Sequence, residues 1–165
     1  MSEKKVFGYP SFDSQGEKIL TTYDGAYSDM LMDIRIYRMK AGGKRTFNRS
    51  GEEMALLLQK GKITLKWADS EKSAYRKDVF TEGPYCLHVC TGVEVQVEAH
   101  ESDTEILVQC THNENTFDSK FYSPKDAPWN DVCRGKFGDT ANRYVNTMQS
   151  TAGRLWCLMI WTPIR

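Results

Sequence analysis

Between residues 62 and 67 the chain alternates without a break: Ile63, Leu65 and Trp67 are apolar, while Lys62, Thr64 and Lys66 are polar. Successive side chains of an extended strand point to opposite faces, so this period of two gathers three apolar groups on one side. A helix would scatter the same residues around its axis. An apolar run at residues 54–58 precedes the alternation, and Gln59-Lys60-Gly61 lies between the two. Two strand-like runs joined by a short segment containing glycine predict a hairpin over residues 51–67. An isolated hairpin is marginal in water, so flanking strands must complete a sheet around it.

The flanking sequence supplies them. Residues 29–40, DMLMDIRIYRMK, carry Met30, Met32, Ile34, Ile36 and Arg38 on one parity and Leu31, Asp33, Arg35, Tyr37 and Met39 on the other. The isoleucines and tyrosine favour a strand, which Ala41-Gly42-Gly43 breaks. Residues 44–49 form a short polar strand entering the hairpin. Residues 68–77 read as a charged loop, 78–80 as a short strand, and Glu82-Gly83-Pro84 as a turn, since Pro84 cannot donate to a central ladder. Residues 85–90, 93–99 and 105–110 are further strands bounded by turn residues. Short strands at intervals of roughly 8–12 residues predict an all-β sandwich or barrel. From Asn113 onward prolines, polar clusters and isolated aromatics predict an extended connector lying over the barrel. The organisation expected is a barrel over 1–112, a connector over 113–147 and a tail over 148–165.

Composition narrows the function classes. Lysine plus arginine equal aspartate plus glutamate at 22 each, so no general field draws the chain to nucleic acid or to an anionic membrane. The longest apolar runs fall far short of a bilayer span. The first ten residues, MSEKKVFGYP, hold no secretory apolar stretch, and the expected compartment is the cytosol. Five cysteines without a secretory stretch read as free, mostly buried thiols. Cys86, His88 and Cys90 would share a strand face, but two steps of about 6.6 Å put the sulfurs about 13 Å apart, too far for one ion or a disulfide.

The segments YDGAYSDMLMDIRIYRMKAGG, RTFNRSGEEMALLLQKGKITLKW, RKDVFTEGPYCLHVCTGVEVQVEA and ILVQCTHNE, followed by FDSKFYSP, resemble in order the N-terminal half of the 5-deoxy-glucuronate isomerase family of myo-inositol breakdown. That family is related to the 5-keto-4-deoxyuronate isomerases. The resemblance runs from about Phe7 to about Thr147. It implies a bicupin of two jelly-roll barrels, and an aldose–ketose isomerisation of a sugar acid through an enediol-like intermediate, with a divalent metal in the second barrel. The expectation for this chain is therefore a single cupin-like jelly-roll barrel with an extended connector and a short C-terminal tail. After Met148 the way into a second barrel is not recognisable, and the tail reads as another register, the expectation being a truncation or frameshift near residue 148. On that expectation the chain alone is inactive or nearly so.

In a metal-binding cupin barrel two histidines one residue apart, a carboxylate and a later histidine grip the ion. The resemblance places the pair at Asn48 and Ser50 and the carboxylate at Glu53, and the stretch 90–95 offers no histidine. No metal or other cofactor is expected in this barrel. Arg35, Arg38, Arg45 and Arg49 lie on two adjacent strands; a guanidinium fork matches a carboxylate, and charges on a half-exposed sheet also serve simply as a solvated face. The candidates for touching a bound sugar acid are His88, Arg49 and Glu53, with no catalytic residue assigned. His100 and His112 read as solvated strand ends, and Glu52-Glu53 as surface glutamates. The expected partner is a small sugar acid, with a homodimer through β-edges allowed. The contrasting reading is a metal-free structural or ligand-binding cupin module.

Overall fold

The longest strand runs straight through the predicted turn. The computed structural model describes residues 10–25 and 27–126, together with the backbone of two strands at 143–149 and 155–161. In chain order the strands are β1 (Glu17–Thr21), β2 (Asp33–Met39), β3 (Lys44–Phe47), β4 (Glu52–Trp67), β5 (Ser70–Arg76), β6 (Tyr85–Val89), β7 (Val95–Ala99), β8 (Thr104–His112) and β9 (Lys120–Tyr122). β10 (Arg143–Gln149) and β11 (Leu155–Trp161) pair antiparallel with each other.

β4 is one strand of 16 residues, not a hairpin. Its ladder to β8 slips between Leu58 and Lys60, and Gly61 adopts φ 98°, open to glycine and strained for other residues. The strand bends there and passes from one sheet to another. Its first half lies between β8 and β6, and its second between β7 and β5. The first sheet runs β1-β2-β8-β4-β6-β9; in the second, β3 pairs with β7, which flanks β4 opposite β5. A Cβ at Gly61 would meet Thr104, whose Cα lies only 2.9 Å from that position. The glycine that imitates a turn signal is there for this close approach.

Two smaller expectations change as well. Residues 70–76 form β5, an edge strand joined to β4 through Ala68-Asp69, with Trp67 opposite Ser70. Only Ala74 and Arg76 of it are buried, so its charged composition reflects an exposed edge. Residues 78–80 are a turn in which Asp78 Oδ1 accepts hydrogen bonds from the Phe80 and Thr81 amides, an Asx turn in place of a strand.

The two sheets face each other in an open, jelly-roll-like arrangement. Their inner faces share one apolar cluster: Tyr37, Met39, Met54, Leu56, Leu58, Leu87, Val89, Ile106, Val108 and Cys110 come from the first, and Phe47, Ile63, Leu65, Trp67, Ala74, Val95, Val97 and Ala99 from the second. Burying each large aliphatic side chain contributes about 1.5–3 kcal/mol. The outer face of the first sheet carries a smaller cluster of Ala55, Leu57 and Cys86, with Met32, Leu107 and Tyr122 against it. Cys86, Cys90 and Cys110 are free and buried; Cys133 lies outside the described residues, as does the side chain of Cys157. Among the described residues no helix is long and apolar enough to cross a membrane.

Candidate functional site

Parity along β4 divides the candidate residues between two faces. Met54 and Leu56 belong to the inner core, so Glu52 shares the inner face and Glu53 the outer. Glu52 stands opposite His112, and Glu53 opposite Thr111. Adjacent glutamates that look alike in sequence therefore do different work.

On the outer face Glu53 is fully buried and His88 is 2% exposed. His88 Nε2 lies 3.3 Å from Glu53 Oε2, which also accepts from Asn113 Nδ2 at 3.1 Å. Phe117 lies against the imidazole with ring centroids 4.7 Å apart. Residues 113–117 thus cross over the pair, and β9 then joins the sheet beside β6. Burial lowers the His88 pKa, while the Glu53 carboxylate pulls it upward.

Arg49 is on the opposite face. It follows β3 and sits with its guanidinium 3.9 Å from Asp33. Asp33 stands opposite Cys110, an inner-core residue. Arg35, two residues along β2 from Asp33, grips it with two hydrogen bonds of 2.7 and 2.8 Å and holds Glu17 at 2.7 Å. Those bonds to Asp33 raise the Arg35 pKa above its ordinary value. Arg45 lies over the Tyr37 ring at 4.7 Å. Arg35, Arg45 and Arg49 line one open cavity of about 360 Å³ with Glu17, Tyr37, Thr46, Phe47 and Asn48. Arg38 goes elsewhere, stacking on Phe12 and pairing with Glu105 at 2.8 Å.

Asp33 and Glu17 already engage Arg35, and Arg45 Nη2 donates to the Gln15 carbonyl at 2.5 Å. Arg49, 3.9 Å from Asp33, is therefore the main donor facing the cavity, with the remaining N–H groups of Arg45 beside it. The arginine fork suits a planar anion such as a carboxylate. Thr46 and Asn48 add a hydroxyl and an amide for polar groups of a ligand. Of the three residues singled out in sequence, only Arg49 lines this cavity. His88 and Glu53 come together, but on the far face and beneath the connector.

Sequence reasoning passed over the groups behind Arg49. The hydroxyl oxygen of Tyr23 and Oε2 of Glu52 are buried and have no hydrogen-bond partner. The Tyr23 ring stacks on His112 with centroids 4.3 Å apart. Burial raises the Tyr23 pKa, reinforced by Glu52, Cys110 and Asp33 and opposed by Arg49, so its hydroxyl keeps its proton. Extending the parity of Met54 back to Glu52 would have placed that carboxylate inside. Tyr23 sits in a loop and leaves no periodic signal.

At the positions aligned with the imidazole pair, Asn48 lines the cavity beside Arg49 and Ser50 is exposed, while Phe47 is buried in the inner core. An amide and a hydroxyl without imidazoles do not hold a transition metal tightly. Among the described residues no three histidine, cysteine or acidic side chains come together as a metal-holding group. The residues at the aligned positions offer no imidazole grip for a divalent cation.

The chain is similar in fold to known proteins. An IolB-like protein from Salmonella typhimurium superimposes with a TM-score of 0.59 at 23% identity, the match covering 69% of this chain and 43% of that one. The chain therefore corresponds to less than half of that protein's length. Protein YlbA from E. coli superimposes with a TM-score of 0.56 at 13% identity, covering 84% of this chain and 60% of that one. No curated protein sequence matches. The family model described as KduI/IolB matches residues 8–163, passing Thr147 and taking in most of the segment set apart above as a tail. With nearly its whole length matched, the chain belongs to the KduI/IolB family.

Proposed function

We propose that this chain is a sugar-acid-binding cupin barrel of the 5-deoxy-glucuronate isomerase kind, which takes the carboxylate of its ligand at Arg49 and Arg45. The observation that carries this reading is the convergence of Arg35, Arg45 and Arg49 on one cavity of about 360 Å³, within the size range of small-molecule sites. Arg35 holds the acidic residues in place, and its two neighbours meet the incoming anion.

Isomerisation of an aldose to a ketose moves a proton between adjacent carbons and needs the carbonyl oxygen polarised. The donor set of this mouth supplies hydrogen bonds and positive charge but not a metal cage. The barrel therefore binds sugar acid without turning it over by itself. Calorimetric titration with 5-deoxy-glucuronate and with its neutral methyl ester tests the binding. Arg49→Gln should weaken the acid at least about tenfold and leave the ester unchanged. Equal affinity of acid and ester would overturn the carboxylate site. Turnover of 5-deoxy-glucuronate by the purified chain, abolished by a chelator, would overturn the second part.

A further inference from the structure

Two buried polar atoms near Arg49 have a chemistry that specifies what should meet them. The Tyr23 hydroxyl and Glu52 Oε2 are each buried without a hydrogen-bond partner. Buried polar groups are nearly always satisfied, so a pair of unsatisfied ones in one neighbourhood marks a place for a bound molecule or water. The neighbourhood is shared: Glu52 stands opposite His112 across the ladder, and His112 carries the stacked Tyr23 ring. Glu52, Asp33 and Arg49 all act electrostatically on Tyr23. Arg49 also lines the cavity and lies 3.9 Å from Asp33. Asp33 stands opposite Cys110, two residues along β8 from His112, so the two places are neighbours.

A carboxylate only accepts hydrogen bonds, so whatever satisfies Glu52 must donate. A phenol can donate or accept, and Tyr23 retains its proton here, so its natural partner accepts. A second carboxylate would satisfy Tyr23 but would be repelled by Glu52 and Asp33. An ammonium would satisfy Glu52 but could not accept from Tyr23. A hydroxyl does both. Two neighbouring hydroxyls on one carbon skeleton could serve Glu52 and Tyr23 together. We propose that Tyr23 and Glu52 form a polyol subsite behind Arg49, recognising the hydroxyl groups of the same ligand whose carboxylate Arg49 holds. The inference rests on the sugar-acid reading above and adds the part of the ligand that sets specificity among acids.

Other features of the molecule carry less. The pair Glu53–His88 is sealed beneath residues 113–117. The groove beside Phe12 has Arg38 and Lys44 already paired with Glu105 and Glu98.

The experiment compares two acids, glucuronate and cyclohexanecarboxylate, which share a carboxylate on a six-membered ring and differ in hydroxyls. The full chain should bind glucuronate at least tenfold more tightly. Tyr23→Phe and Glu52→Gln should remove most of that preference, while the affinity for cyclohexanecarboxylate stays within about twofold. Neither variant should melt below the parent, because each removes or softens an unsatisfied buried group. Unchanged preference in both variants would overturn the polyol subsite and leave the carboxylate site standing; a water alone would then satisfy the two atoms. If the parent bound neither acid, the sugar-acid reading itself would fall, and this inference with it.

Discussion

His88 Nε2 lies 3.3 Å from Glu53 Oε2 on the face of the first sheet turned away from Arg49. One residue along β4, Glu52 stands on the inner face with an unsatisfied oxygen. The strand thus carries a closed polar contact on one side and an open one on the other. The closed contact contributes to stability, and the open one is where we propose a ligand hydroxyl binds.

The His88 contact makes stability depend on pH. Burial lowers the His88 pKa below the ordinary 6.5, with Glu53 opposing. From 6.5 down to that lowered value the unfolded chain binds more protons at this site than the folded chain does. Stability is therefore complete above pH 6.5 and lost as the pH falls through that window. Melting curves from about pH 7.5 to pH 5 should show a falling Tm that is flatter in His88→Gln, which keeps a donor for Glu53 and does not titrate. Parallel slopes in parent and variant would contradict this.

Gly61 should tolerate no side chain. Its φ of 98° and the proximity of Thr104 predict that Gly61→Ala loses about 2–4 kcal/mol in urea titration. Gly92→Ala provides the control: it shares a positive φ, but a Cβ there would meet nothing within 4 Å, and the loss should be about 1–2 kcal/mol.

Arg76 has no exposed surface. It donates to the Leu58 carbonyl at 2.8 Å, beside the slip in β4, and to the Glu82 carbonyl at 3.0 Å. Replacing it by methionine strands the Leu58 carbonyl in the core and should cost about 2–4 kcal/mol. Lysine should not restore the loss, because one ammonium cannot reproduce the planar fork. Full stability in Arg76→Lys would contradict that account.

These sites show which parts of the molecule could be read from sequence. The apolar face of Ile63, Leu65 and Trp67 follows from alternation alone, since a strand has only two sides. Gly61 did not reveal whether the chain turns or bends. A positive φ suits both, and the choice depends on β8, more than forty residues distant, pairing across the slip. Ala68-Asp69 carries no strong turn composition, so the hairpin into β5 was hidden, and the exposed edge looked like a loop. At the site, Arg49 was legible as a cation near a strand end. The parity of β4 separates Glu52 from Glu53, but only the connector over Glu53 shows that the outer glutamate is buried rather than solvated.

Thiol chemistry gives an independent check on burial. Burial raises both Cys86 and Cys110 to about 12. Only a minute thiolate fraction exists at neutral pH, and the thiolate is the nucleophile. Iodoacetamide followed by peptide mass spectrometry should leave both unlabelled in the folded chain and label both in denaturant. Rapid labelling of either without denaturant would show that its face of the sheet is open.

The account as a whole turns on where a sugar acid settles. A crystal structure of the chain with 5-deoxy-glucuronate decides this directly. The expected result is a carboxylate against Arg49 and Arg45, with ligand hydroxyls hydrogen-bonded to Tyr23 and Glu52. A ligand seated against His88 and Glu53, or at the groove beside Phe12, would contradict it.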